Sequence, residues 1–393
     1  MKFNTATDRD ISEGKTSDVY FERSVSKLDR ESKDRKVVME MTTLGNGNPW
    51  IVFCGLDEII SLIEGRNVDL QSIPEGTVAP PRDFRGIPIP FLALRGKYSD
   101  ISALETAILG FACQASGIAT SSARIRIAAG GLPYYSFGIR RMHPAISPMI
   151  DRAAYVGGAD GVSGMLGAKL IGKEPVGTMP HALSLLVGDQ KAWKLVSSIP
   201  GKKVALIDTF QDEKFGAIAA AETVNDLDYV RLDTHSTRRG NFPAIVREVR
   251  WELDSRGYSG VKIMVSGGLD EQSVQELRGA GAEAFGVGTR IASGKVIDFS
   301  LDIVEIEGKA ISKRGKLSSA KRVMRCPDCL KVQVAANNEK VEKCECGGIF
   351  HSITRNYITR GVLSDRSETA DEVRKRAISQ LDALSGINRD HAY

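Results

Sequence analysis

Between residues 134 and 288 the sequence repeats one device: a short apolar run closes on a loop of glycine, arginine, aspartate or histidine, and a helix-length stretch follows. The unit is plainest over 261–290, VKIMVSGGLDEQSVQELRGAGAEAFGVGTR. An apolar run, a Ser-Gly-Gly-Leu-Asp turn, a helical segment with Leu277 on its apolar face and a second apolar run make one βαβ unit. Both runs lack alternation, as strands of a parallel sheet covered on both faces do, and both end in glycines where backbone can approach a ligand. Such loops suit anions because unpaired N–H groups converge there beside a helix start; read blandly, they are only tight turns.

Seven runs have strand character, at 134–138, 155–160, 176–181, 204–208, 229–233, 263–267 and 284–288. Helical stretches fit between most of them, at 162–170, 182–196, 214–223, 242–256 and 271–280. This alternation predicts an irregular α/β barrel over 116–295, with a doubly wound open sheet as the rival. Upstream, strand-like runs at 37–43, 50–54 and 91–94, a helix near 56–64 and a proline-rich stretch at 73–90 predict an α+β domain over 1–115. One or two connecting helices fit 102–129, and 302–313 alternates like a hairpin about Glu307-Gly308, so that 296–320 returns to the first domain. Residues 321–393 make a small C-terminal domain whose tail, from Glu368, reads as a surface helix.

A chain of 393 residues with 42% hydrophobic content supports two or three cored domains. A formal charge of +4 is too weak to argue for nucleic acid, though it suits anionic small substrates. The polar start has no apolar signal region, and the apolar stretch 108–118 is short and interrupted for a bilayer span, so a cytoplasmic protein with no membrane partner is expected. Cys54 and Cys113 stand alone in apolar surroundings as buried thiols.

The other four cysteines cluster. Cys326-Pro-Asp-Cys329, fourteen residues and Cys344-Glu-Cys346 form a four-cysteine pattern with the loop spacing of a zinc ribbon, where thiolates in two close pairs suit a tetrahedral Zn2+. A disulfide pair or four unrelated thiols are the alternatives. With all four positions filled by thiolate, the metal would be structural.

Polar residues gather where the barrel reading puts strand ends: Phe137-Gly-Ile-Arg140-Arg141-Met-His143, Gly157-Gly-Ala-Asp160, Gly177-Thr178-Met-Pro-His181, Asp208-Thr209, Arg231-Leu-Asp233 and Ser266-Gly267-Gly268-Leu-Asp270. In a barrel these ends share one mouth. Arg140 and Arg141 offer fork donors for phosphate or carboxylate, while Asp208 and Asp233 suit Mg2+ or a ribose diol. Each has a bland reading: a double arginine is a solvated face, His143 a structural hydrogen-bonder, Asp233 an N-cap.

These motifs, in this order, resemble those of the nicotinate phosphoribosyltransferases, as does Asp18-Val-Tyr20-Phe21 near the start; the resemblance is closest to short members with a C-terminal four-cysteine zinc segment. It implies a type II phosphoribosyltransferase-like barrel that transfers the phosphoribosyl group of 5-phosphoribosyl 1-diphosphate to nicotinate, giving nicotinate mononucleotide and pyrophosphate for NAD biosynthesis. Mg2+ accompanies the diphosphate, and ATP hydrolysis is coupled in many members, which makes the enzyme ligase-like. By the same resemblance Gly267, Gly268, Gly288 and Thr289 hold the ribose 5-phosphate. Phe137 stacks on the pyridine ring, and Tyr20 of a neighbouring subunit stacks on its other face, which implies a homodimer or higher oligomer. Arg140 meets the diphosphate or the ring edge, His181 is the histidine phosphorylated in ATP-coupled members, and Asp208 and Asp233 lie near the ribose and Mg2+; Thr178 and Arg231 fall in the substrate-binding motifs. Asp160 departs from the pattern, standing where nicotinate enzymes often carry serine and nicotinamide enzymes aspartate, and a carboxylate facing nicotinate is repulsive.

The rivals are nicotinamide or quinolinate as base, the latter needing a denser cationic ring. From a different class comes a zinc-ribbon protein binding nucleic acid through Lys313, Arg314, Lys316, Lys321, Arg322 and Arg325, a run that also reads as a solvated linker. An aldolase-type barrel lacks a catalytic lysine at a strand end.

Overall fold

A computed structural model of the chain describes residues 3–336, 339–341, 343–364 and 368–391, with side chains to residue 384. Two units result: Ser121–Gly294, and the rest of the described chain, up to Thr120 and from Lys295 onward.

The apolar runs of Ser121–Gly294 become six strands: β1 (Tyr134–Ser136), β2 (Gly161–Val162), β3 (Val204–Leu206), β4 (Tyr229–Leu232), β5 (Lys262–Ser266) and β6 (Ala284–Val287). They lie in the order β2-β1-β6-β5-β4-β3 with every neighbour parallel, an α/β half-barrel sheet consistent with the irregular α/β barrel expected from the sequence. Two expected strands are not strands. Residues 155–160 begin with the last turn of helix α1 (Ser147–Val156), and that helix is buried on all sides from Ile150 to Val156, so its apolar run mimics a strand. Residues 176–181 include Pro180 and follow Pro175, which cannot donate to a ladder; Val176 alone reaches across, to the Val162 carbonyl at 2.8 Å.

Helices cover one face of this sheet: α2 (Met165–Leu170), α3 (His181–Val187), α4 (Asp189–Ser197), α5 (Glu213–Thr223), α6 (Phe242–Ser255), α7 (Glu271–Gly279) and the short α8 (Thr289–Ala292). Gly188 at φ 81° splits the expected single helix at 182–196 into α3 and α4. Their starts are written in the sequence. Asp212 and Asn241 cap α5 and α6, and Asp270 forms a capping box with Ser273, each such cap contributing about 1 kcal/mol. Strand periodicity then sorts the side chains. Ala205, Ile207, Val230, Leu232, Ile263, Val265, Phe285 and Val287 are fully buried on alternate positions, and Val204, Tyr229, Met264 and Ala284 cluster with Tyr135 and Phe137 on the others.

The second unit is built on a seven-stranded antiparallel sheet, in the order 309–310, 299–306, 36–43, 92–97, 68–72, 355–359 and 362–363. The 302–313 alternation is the predicted hairpin: Glu307 and Gly308 both take positive φ, 49° and 71°, and strand Phe299–Ile306 pairs with Lys36–Thr43. Helix Leu56–Ile63 buries Leu56, Ile59, Ile60, Leu62 and Ile63 against this core. A three-stranded sheet of Lys321–Arg325, Val332–Ala336 and His351–Ser352 carries the cysteines at its end. It is tied down by Lys321, whose Nζ reaches the buried Glu40 carboxylate at 2.7 Å; burial raises the Glu40 pKa against that pairing.

The expected surface tail is the helix Ala370–His391, and it is docked. Val373, Ala377 and Leu381 are buried, and Gln380 Oε1 accepts the Val78 N–H at 2.9 Å, capping an edge strand. The helical stretch 98–129 is longer than the 108–118 run suggested, long and apolar enough by composition to cross a bilayer, yet 56% of its apolar window is buried inside the protein, as in a core helix.

Candidate active site at the strand ends

The chemistry-bearing residues collect at the C-terminal ends of β3, β4 and β5. Arg231 and Asp233 share a face of β4 because they are two residues apart, and Ser266 ends the adjacent β5. Arg231 Nη2 donates to Asp233 Oδ2 at 2.9 Å and its Nε to Ser266 Oγ at 2.9 Å, while Nη1 meets Thr178 Oγ1. Ser266 Oγ in turn donates to Asp233 Oδ1 at 2.8 Å. Asp233 is therefore no helix cap; its carboxylate belongs to this network. Asp270, from the same motif as the glycines, is spent on α7.

Asp208 joins through the backbone, its Oδ2 accepting the Asp233 N–H at 2.9 Å. Its Oδ1 is buried with no hydrogen-bond partner. Burial raises the Asp208 pKa, the His181 ring opposes that, and the neighbouring Asp233 charge adds to it. His181 opens α3 and is half-buried; its Nε2 lies 3.7 Å from Asp233 Oδ2 and its Nδ1 3.1 Å from Thr209 Oγ1.

Phe137 stands at the end of β1 and forms an apolar wall. Its ring stacks on Tyr135 at 6.4 Å and 15°, and the Arg231 guanidinium sits 5.8 Å from the ring centroid. A Cβ on Gly286 of β6 would come 2.7 Å from the ring, so glycine there is what lets Phe137 lie over the sheet. Gly267 and Gly268 follow β5 with φ of 88° and 63°, a left-handed turn that glycine adopts without strain, and Gly288 precedes Thr289 at the start of α8.

Four expected members stand outside this hydrogen-bond network. The Asp160 carboxylate accepts the Tyr134 N–H at 3.1 Å, which puts it at the N-terminal ends of β1 and β2, the opposite end from Phe137. It stands one residue before a strand, where a carboxylate pins the strand start; burial raises the pKa of Tyr135, the ring stacked on Phe137, and the Asp160 charge adds to that. Arg140 and Arg141 lie exposed on a 3-10 turn after Phe137, and neither guanidinium is hydrogen-bonded among the described residues. Tyr20 is in the other unit, 56% exposed on helix Val19–Lys27, with its ring 4.3 Å from Phe21. The reading from sequence missed Arg239, whose Nη2 meets the Gly267 carbonyl; the signal was the Arg238-Arg239-Gly240 run six residues past Asp233.

The four cysteines converge as expected. All four Sγ atoms lie within 4.8 Å of one another, with Cys326–Cys346 at 3.4 Å and Cys329–Cys344 at 3.5 Å. Zn–S bonds of about 2.3 Å in a tetrahedron separate sulfurs by about 3.8 Å, so the cluster fits a single metal ion. Backbone N–H groups of Cys329 and Asp328 point at Cys326 Sγ, the orientation that stabilises thiolate.

The family profiles described as quinolinate phosphoribosyl transferase, N-terminal and C-terminal domains, match residues 18–116 and 118–302. The crystal structure of nicotinate-nucleotide pyrophosphorylase from Pyrococcus furiosus superposes with TM-score 0.92 and 47% identity over 98% of this chain and 99% of that one. The human nicotinic acid phosphoribosyltransferase structure shares the fold at TM-score 0.74 and 17% identity, over 93% and 94% of the two chains. A nicotinate phosphoribosyltransferase of Mycobacterium tuberculosis is 30% identical over 259 residues, 63% of this chain and 55% of its own. The chain thus spans about half the length of the curated relatives it matches. On the two matching profiles and the full-length likeness to the Pyrococcus protein, the chain belongs to the quinolinate phosphoribosyl transferase family, and its curated relatives and ordered strand-end motifs make it nicotinate phosphoribosyltransferase-like within it.

Proposed function

We propose that this chain transfers the phosphoribosyl group of 5-phosphoribosyl 1-diphosphate to the ring nitrogen of nicotinate, releasing pyrophosphate, in NAD biosynthesis. The observation that carries the reading is the Arg231–Asp233–Ser266 network beside the Phe137 ring. A flat aromatic base finds a stacking wall there, and its carboxylate finds a cation. Departure of pyrophosphate leaves an oxocarbenium-like ribose, so the site has to align two reactants and neutralise a leaving group rather than supply a nucleophile.

In this reading Gly267, Gly268, Gly288 and Thr289 bind the 5-phosphate, and Arg140 and Arg141, unpaired and exposed, close on the diphosphate. The unpartnered Asp208 Oδ1 with the Asp233 carboxylate fits a hard cation, and Mg2+ held there supplies charge neutralisation to the diphosphate. His181, oriented by Thr209 and Asp233, accepts a phosphoryl group from ATP, which would place the enzyme in the ligase class. Tyr20 covers the second face of the base in the site of a neighbouring copy, making the active oligomer a dimer or larger. The four-cysteine cluster holds a structural Zn2+, and the reduced thiols suit the cytoplasm.

The test mixes the protein with the donor, Mg2+ and, separately, nicotinate, nicotinamide and quinolinate, and follows pyrophosphate. Nicotinate alone should give rapid release. No mononucleotide from any base would remove the enzyme reading.

A further inference from the structure

Arg239 lies in the loop after β4 and braces the loop after β5. Its Nε donates to the Thr234 carbonyl at 2.7 Å, and its Nη2 to the Gly267 carbonyl, with Ser266 O at 3.4 Å. The guanidinium carbon sits 4.9 Å from the Phe242 ring centroid, which fixes the plane of the fork at the start of α6. Thr234 itself is anchored, its Oγ1 donating to Glu213 at 2.6 Å. These bonds occupy Nε and Nη2. Nη1 has no acceptor among the described residues, and a Cβ built on Gly268 would lie 3.8 Å from it. Nη1 and the Gly268 backbone therefore border the same space.

A strut alone would not need this geometry. The fork keeps its third nitrogen toward the glycine turn while Asp233 and Asp208 stay beyond ion-pair distance, so the cation is left without a counter-charge. Burial accordingly depresses the Arg239 pKa, although the two nearby aspartates pull it the other way. An anion between Nη1 and the turn would supply what is missing, and a planar fork is the group that can brace a carbonyl with one nitrogen and bind a phosphate oxygen with another.

We propose that Arg239 is a donor-binding residue whose Nη1 takes a phosphate oxygen of the phosphoribosyl donor beside the Gly267–Gly268 turn, while Nε and Nη2 hold that turn in its binding shape. This deepens the phosphoribosyl-transfer reading and rests on it for the identity of the anion. Lysine cannot perform both tasks, because it offers one point charge instead of a fork.

The experiment compares the parent with R239Q and R239K in steady-state kinetics and in calorimetric titration with inorganic phosphate. R239Q should raise KM for the donor on the order of 10- to 100-fold, the effect of removing a charged hydrogen bond, with KM for nicotinate changed less than threefold. R239K should recover only part of this. A donor KM within twofold of the parent in R239Q overturns the proposal. Should R239Q fail to fold, R239K decides, and an unchanged donor KM there overturns it equally. If the parent forms no mononucleotide, the reaction assignment falls by itself. Phosphate titration then still judges Arg239: weaker binding in the variants supports its anion role, and equal affinity ends it.

Discussion

Asp208 holds the main chain of Asp233, its Oδ2 on the Asp233 N–H at 2.9 Å, so two acidic residues from adjacent strand ends meet carboxylate to backbone rather than carboxylate to carboxylate. That leaves Asp208 Oδ1 buried and unpaired and leaves the Asp233 carboxylate to Arg231 and Ser266. Asp208→Asn preserves an oxygen for the backbone bond and removes the charge. The expected result is a kcat lower by ~10²-fold with a weaker Mg2+ activation curve and an unchanged melting temperature. Equal Mg2+ dependence in parent and variant would show that Asp208 does not hold the cation.

Gly286→Ala probes the Phe137 wall. The new methyl comes 2.7 Å from the ring and forces it aside. KM for nicotinate should rise about tenfold, the scale of one aromatic stacking contact, while KM for the donor stays within twofold. A donor-side effect of equal size would mean that the ring does not seat the base.

For the cysteine cluster, metal analysis of purified protein should give one Zn2+ per chain. Cys329→Ser should lose the metal and lower the melting temperature by ~5–10 °C, because the metal substitutes for a core that this three-stranded sheet is too small to build. Well under one equivalent in the parent would remove the zinc assignment.

Asp151 provides a pH signature away from the site. It is fully buried, burial lifts its pKa from 3.8 to about 7, and the Gly164 N–H on Oδ2 offsets only part of that. A folded pKa above the unfolded one means the contribution to stability is whole below pH 3.8, declines as pH rises toward about 7, and is flat beyond. Asp151→Asn keeps the acceptor and cannot ionise. Chemical denaturation should find it more stable than the parent at pH 8, by up to about 4 kcal/mol, with the gap closing at pH 4. A gap independent of pH would contradict the assignment.

Legibility in the sequence followed locality. Strands β3 to β6 and their helices could be read because each apolar run, cap and glycine lies within a few residues of its consequence, as with Asp270 and α7. The 155–160 run misled because complete burial makes a helix as apolar as a strand. Arg239 was marked only by the Arg238-Arg239-Gly240 run, because its partners, Thr234 and Gly267, come together only through the pairing of β4 with β5.

The antiparallel sheet has an implication for how the chain is made. Strand Lys36–Thr43 finds Leu92–Lys97 almost at once, but its other edge waits for Phe299–Ile306, roughly 200 residues later. At ribosomal speeds of about 5–20 residues per second, that edge stays unpaired for on the order of 10–40 s. During this interval the six parallel strands, whose partners all lie within 121–294, emerge complete. Synthesis thus delivers the parallel-sheet unit first and closes the unit that was begun earlier only as the last third of the chain arrives, which makes the nascent edge, rather than the finished fold, the point most open to mispairing.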